Sequence, residues 1–115
     1  MPSNQYFSKM NSRITIAVYK PLEGKETALL DLVLTHHQRL SDEKLVTQRL
    51  PIICQAKDKT ILEIFEWQSE EAIHAAHSNP AVLAMWKEFG EVCTYLPVAE
   101  VYESKNMFSD FSPVN

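Results

Sequence analysis

The chain is predicted to fold as an α+β domain, and three features of its sequence say so. Two segments, 14–19 (ITIAVY) and 60–67 (TILEIFEW), are dense in β-branched and aromatic residues. Between them a helical apolar stripe runs from Glu23 to Leu40. After them, Ser69 and the pair Asn79-Pro80 each announce the start of a further helix.

Taken in order, Ile14 to Tyr19 is apolar on both alternations, as suits a central strand covered on two sides, and Pro21 ends it. In the first helix Leu29, Leu32, Val33, His36 and Leu40 share one stripe, with Asp31, Thr35 and Gln38 opposite. The next strand, about Val46 to Ala56, alternates Leu50, Ile52 and Cys54 against Arg49, Pro51 and Gln55. Pro51 offers no ladder donor, so this strand is expected at a sheet edge. A short turn, 57–60, leads into the strand that ends at Trp67. Ser69 then caps a short helix over Glu70 to Ser78, with Glu70 and Glu71 in its first turn. Asn79 caps the following helix and Pro80 opens it, where a missing N–H costs nothing. Its expected buried stripe is Val82, Met85, Trp86, Phe89, Cys93 and Leu96, and Pro97 stops it. Val98 to Glu103 alternates as a last strand.

The order is therefore βαββαβ, the ferredoxin-like pattern, with a four-stranded antiparallel sheet and helices on one face. Residues 1–12 read as a flexible N-terminal segment, 13–104 as the domain and 105–115 as a C-terminal tail. The second sheet face is expected to carry Ala17 and Tyr19, a patch too large to leave in water. A homodimer that packs sheet against sheet would cover it.

Composition removes several classes of function. At 115 residues one core suffices, and 45% apolar with 23% charged residues is ordinary for a globular domain. The net charge is −4 and the basic residues are scattered, so nucleic acid is not an expected partner. No apolar run approaches a membrane span and the first residues carry no secretion signal; a cytoplasmic protein with no membrane partner is expected. Only Gly24 and Gly90 occur, so neither a dinucleotide fingerprint nor a P-loop can be built. Cys54 and Cys93 lie far apart and read as buried packing residues, not as a disulfide scaffold.

The four histidines fall into two kinds at about 100° per residue. His36 lies mid-stripe on the first helix and His77 borders the apolar side of the next, while His37 lies toward an edge and His74 points away. His36 and His77 are thus the candidates to meet in one cavity as a general base or ligand-orienting group. The competing reading is a core histidine bonded to a backbone carbonyl. Glu70, His74 and His77 share a stripe, yet nothing closes a metal site around them, and no metal is expected. Trp67, Trp86, Tyr19, Phe65 and Phe89 could wall a flat ligand, or simply fill the core. Arg39 and Arg49 could hold an anionic oxygen, though solvation is the simpler reading.

The stretch from Ile14 to Ser104 resembles the antibiotic biosynthesis monooxygenase family of dimeric α/β barrels. The resemblance rests on the leading strand, the helix after Pro21-Leu22-Glu23-Gly24, and the run from Trp67 through Ser69, Glu70, Glu71 and Ile73 to His77, followed by Asn79-Pro80. It implies a homodimer with a small-molecule cavity in each subunit between sheet and helices. Some members oxygenate quinols or polycyclic phenols with no cofactor, and on that model His36 or His77 would be the base, with Trp67 and Trp86 flanking the ring. A haem-degrading branch uses an Asn on the first strand and a Trp followed ten residues later by a His. Ile14 to Tyr19 holds no Asn, and the latter two positions read Ala76 and Trp86, so haem is not expected. The alternatives are a non-catalytic barrel that binds an apolar or aromatic ligand, and an isomerase or decarboxylase on the same scaffold.

Overall fold

A computed structural model describes residues 11–115, so the expectation for 1–12 falls almost wholly outside the described residues. Strand β1 is Arg13–Pro21, followed by helix α1, Glu26–Asp42. Strands β2, Ile52–Gln55, and β3, Ile61–Trp67, lead to helices α2, Glu70–Ala76, and α3, Pro80–Gly90. Strand β4, Cys93–Tyr95, precedes two 3₁₀ turns, Val98–Glu100 and Tyr102–Lys105, and β5 is Ser112–Pro113. The sheet order is β4-β1-β3-β2-β5 and every pairing is antiparallel. The class is α+β with the ferredoxin-like arrangement, extended from the expected four strands to five.

Local chemistry sets the boundaries. Leu29, Val33, His36 and Leu40 are the buried face of α1, spaced as the 3.6-residue period requires. Ser69 Oγ accepts from Ala72 N–H, and Asn79 Oδ1 accepts from the N–H groups of Ala81 and Val82, so α2 and α3 begin on side-chain caps. The helices cover one sheet face, whose core includes Leu29, Ile61, Val82, Met85 and Phe89.

Several expectations are corrected. Ala17 and Tyr19 do not lie on the open face: Tyr19 is buried among Leu29, Phe89 and the helix-side core, and Ile14 and Ile16 point the other way. Because ITIAVY is apolar on both alternations, periodicity alone could not choose between its faces. Helix α3 ends at Gly90 instead of reaching Leu96, and the strand paired with β1 is Cys93–Tyr95, whereas 98–105 forms 3₁₀ turns. The second strand is only Ile52–Gln55, with Val46 reduced to an isolated bridge to Trp67. It is not the sheet edge, because the segment expected as a tail returns to pair beside it. There Asn115 accepts from Ile53 N–H and donates to the Pro51 carbonyl, both through its side-chain amide, and Val114 N–H donates to Ile53.

The open face is partly roofed by the C-terminal segment: Val101 joins Val18, Ala56 and Leu62 in a second cluster, against which Phe111 packs. Ile14, Ile16 and Ile52 remain 55%, 48% and 61% exposed. Leu29 is completely enclosed under α1. Leu29→Ala is expected to lower stability by about 2–5 kcal/mol, seen as a lower urea midpoint at unchanged slope; a loss under about 1 kcal/mol would show that this helix does not seal the core.

Candidate functional site

The strand register brings the site together. Facing pairs Thr15↔Phe65 and Ala17↔Glu63 put residues 15, 17 and 19 of β1 beside 63, 65 and 67 of β3 on the helix-covered side. Above them a cavity of about 330 Å³ opens. Its floor is Thr15, Ala17 and Tyr19, its walls are Phe65, Trp67, Trp86 and Tyr95, and His36 reaches in from α1. Such a volume is at the small end of the range that encloses organic ligands.

The polar centre is His36, Glu63 and Tyr19. The Tyr19 hydroxyl donates to Glu63 Oε1 at 2.8 Å, and His36 Nδ1 lies 2.8 Å from the same oxygen. That His36 contact is at ion-pair distance without hydrogen-bond alignment, and Glu63 Oε2 has no hydrogen-bond partner among the described residues. Glu63 is 0% exposed and His36 4%. Aromatic rings hold the imidazole edge-on, Phe65 at 5.3 Å and Phe89 at 5.4 Å between centroids. Phe89 also stacks on Tyr19 at 5.2 Å, so it braces the site from behind and does not line the cavity. Trp67 Nε1–H donates to Thr15 Oγ1 at 2.9 Å, which fixes the indole as a wall.

His36 and His77 do not meet in one cavity as anticipated. His77 is exposed, its Nδ1 lies 2.8 Å from the Ile73 carbonyl, and its ring stands against Trp86 at 5.2 Å. It therefore touches the outer side of a cavity wall. His37 Nε2 lies 3.0 Å from the Thr47 carbonyl, and His74 is 4.0 Å from Glu70 in the open. Among the described residues no cluster of His, Cys, Asp and Glu could hold a metal ion. Arg39 is engaged by Glu88 on the surface and Arg49 reaches toward Glu66, so neither lines the cavity. Cys93 donates to the Phe89 carbonyl and burial pushes its thiol up to about 11; Cys54 is raised for the same reason. Neither is poised as a thiolate.

Sequence reading missed Glu63. The signal was present in TILEIFEW: the inward alternation Ile61, Glu63, Phe65, Trp67 carries one carboxylate among apolar positions. Tyr95, on the short β4, was missed because three residues display no period.

No family model matches the chain, and no curated protein matches it. Among solved structures it is similar to SnoaB, a cofactor-independent oxygenase from Streptomyces nogalater, with TM-score 0.62 and 12% identity over 75% of this chain and 87% of that one. It is also similar to a conserved protein from Methanosarcina mazei Go1, with TM-score 0.58 and 14% identity over 79% of this chain and 92% of that one. At such identities the likeness concerns the fold: an α+β sheet-and-helix layer that also occurs in an oxygenase.

Burial first, and then the Glu63 charge, hold the Tyr19 phenol well above the ordinary tyrosine range. Its raised value means the folded state keeps a proton that the unfolded chain releases near pH 10. The resulting stabilisation is complete below about pH 10 and is lost as pH rises toward the raised value. Alkaline titration followed by tyrosinate absorbance should therefore show that Tyr19→Phe removes no amplitude near pH 10, where ordinary tyrosines ionise, and the stability advantage of wild type over this variant should shrink as pH rises above about 10. Missing amplitude near pH 10 would place Tyr19 in water.

Proposed function

We propose that the chain is a cofactor-independent oxygenase, similar to the antibiotic biosynthesis monooxygenases, acting on a quinol or phenolic aromatic small molecule. One observation carries the reading: an imidazole backed by a buried carboxylate opens into a cavity whose remaining walls are almost entirely apolar and aromatic. The likeness to SnoaB supports it as a precedent for the scaffold.

In this reading His36 is the general base. Nδ1 faces Glu63, which leaves Nε2 to take the proton of a substrate hydroxyl. Trp67 and Trp86 flank the ring, and Tyr19, held protonated, serves as donor to Glu63 and not as a second base. The substrate anion, shielded from water, passes one electron to dioxygen and the radical pair combines at carbon; the peroxide takes back the proton, and its O–O bond breaks with loss of water as the carbonyl forms. Tyr95, whose phenol burial first of all pushes up to about 12, stays a neutral donor at the wall. His77 enters only through its contact with Trp86.

The reading also includes a homodimer through the open sheet face, where Ile14, Ile16 and Ile52 would otherwise remain in water. No helix among the described residues is long and apolar enough to cross a membrane, and a cytoplasmic setting suits such an enzyme.

Oxygen uptake with a panel of quinols tests the reaction: His36→Ala should slow turnover about 10²- to 10⁴-fold, while His74→Ala changes it little. Unchanged turnover in the His36 variant would end the assignment, and a bound ligand with no uptake would favour a carrier. For the assembly, sedimentation should find a dimer that Ile16→Glu dissociates; a monomeric wild type at micromolar concentration would refute the sheet-to-sheet pairing.

A further inference from the structure

The cavity floor carries two hydroxyls that are used in opposite ways. Tyr19 donates its hydrogen to Glu63 Oε1. Thr15 Oγ1 instead accepts the Trp67 Nε1–H at 2.9 Å, and among the described residues its own hydrogen is donated to no acceptor. A hydroxyl has one donor hydrogen and two acceptor lone pairs, so the indole occupies one lone pair and the donor is left over. Threonine is stiff at χ1, and anchorage to Trp67 fixes the hydroxyl further. Thr15 is half-buried and lines the cavity, so the uncommitted hydrogen is offered to whatever the cavity holds. The strand register says where. Thr15 faces Phe65, and Ala17 faces Glu63, whose Oε1 lies 2.8 Å from His36 Nδ1. Two residues along a strand span about 7 Å on one face. His36 therefore stands toward one end of the floor and the Thr15 hydroxyl toward the other, a separation comparable with that of two substituents para on one aromatic ring.

We propose that Thr15 is a specificity-determining residue, whose hydroxyl donates to a carbonyl or other oxygen acceptor on the ring edge opposite the hydroxyl that meets His36. The ligand class is then narrower than phenols at large: an aromatic ring with a hydroxyl at one end and an acceptor oxygen at the other. A ligand with only hydrocarbon at the far end leaves the Thr15 hydrogen unpaired against an apolar group, and that unmet donor is what penalises it. This role is separate from holding the Trp67 wall, because the indole needs Thr15 only as an acceptor and is indifferent to where the hydroxyl hydrogen goes. The protonation state of His36 does not enter, since a ligand hydroxyl can donate to a ring nitrogen or accept from one. The proposal rests on the reading that this cavity takes a phenolic ligand, and it requires no dioxygen.

The probes are 4-hydroxyacetophenone and 4-isopropylphenol, close in shape, with a carbonyl oxygen in one where the other has a methyl group. Calorimetric titration gives the ratio of their two affinities for each protein, and comparing that ratio between proteins cancels the differing hydrophobicity and acidity of the probes. The ratio of ketone to hydrocarbon affinity is expected to fall about fivefold in Thr15→Val, the worth of one neutral hydrogen bond. Thr15→Ser restores the hydroxyl and should bring the ratio back to within about twofold of wild type. Valine keeps the shape and strand preference of threonine; should Thr15→Val fail to fold, Thr15→Ala carries the same expectation. A ratio that does not move in the hydroxyl-free variant would overturn the proposal, as would a ratio that falls equally in Thr15→Ser. Equal weakening of both probes in Thr15→Val would also overturn it, by showing that Thr15 does no more than hold the indole. Binding of neither probe to wild type would remove the phenolic ligand reading and this inference together. A ratio that moves as stated without oxygen uptake from quinols would end the oxygenase reading alone. Uptake with an unmoved ratio would end this inference alone.

Discussion

The structure turns on one buried carboxylate. Glu63 sits mid-strand in β3, flanked in the sheet by Ala17 of β1 and Ile53 of β2, on the face that the helices close. An ionisable group in that position must be opposed, and its partners come from two separate elements: the phenol of Tyr19 on the neighbouring strand and the imidazole of His36 on α1. Deleting one partner of such a network costs about 3–5 kcal/mol, whereas replacing the whole set with apolar residues of similar volume is often neutral or stabilising. The network is therefore poorly explained as a device for holding the fold together. Leu29, Val33, Ile61 and Phe89 already do that around it.

The space beside the carboxylate follows from side-chain size. Thr15 and Ala17 are small where Tyr19, Phe65 and Trp67 are large, so β1 supplies a shallow floor between tall aromatic walls. β4 pairs with β1 only at Tyr19 to Pro21, and it brings Tyr95 to the same cavity. Larger apolar side chains at positions 15 and 17 would fill the site and leave only a core. Instead the Thr15 hydroxyl accepts the Trp67 N–H and keeps the indole upright.

What was legible in the sequence follows the length of each periodic signal. Helix α1, seventeen residues long, displays its buried face four times, and Leu29, Val33, His36 and Leu40 were all readable as such. Strand β3 is long and apolar, and its place was equally plain, though the carboxylate inside it was passed over as an ordinary strand residue. Strand β1 could be located but not oriented, since both of its faces are apolar. The C-terminal third defeated local reading for another reason. Cys93 falls at helical spacing from Phe89, so the period runs on past the true end of α3, and β5 exists only because Ser112 and Pro113 meet β2 across the sheet. Pairing between positions so far apart in the chain leaves no periodic trace in either segment.

The same reasoning separates the two histidine candidates. Spacing set His36 in the middle of its apolar stripe and His77 at the border of its own, and both stood as candidates. His36 belongs to a helix long enough to press its stripe against the sheet, which delivers the ring to Glu63 in surroundings where charge is weakly screened. His77 closes a helix of seven residues whose buried face is reduced to Ala76, and its Nδ1 is taken up by the carbonyl one turn back. An imidazole in water, its Nδ1 beside a backbone carbonyl, meets only the outer side of a cavity wall, whereas one held between a buried carboxylate and an apolar cavity faces whatever that cavity takes in.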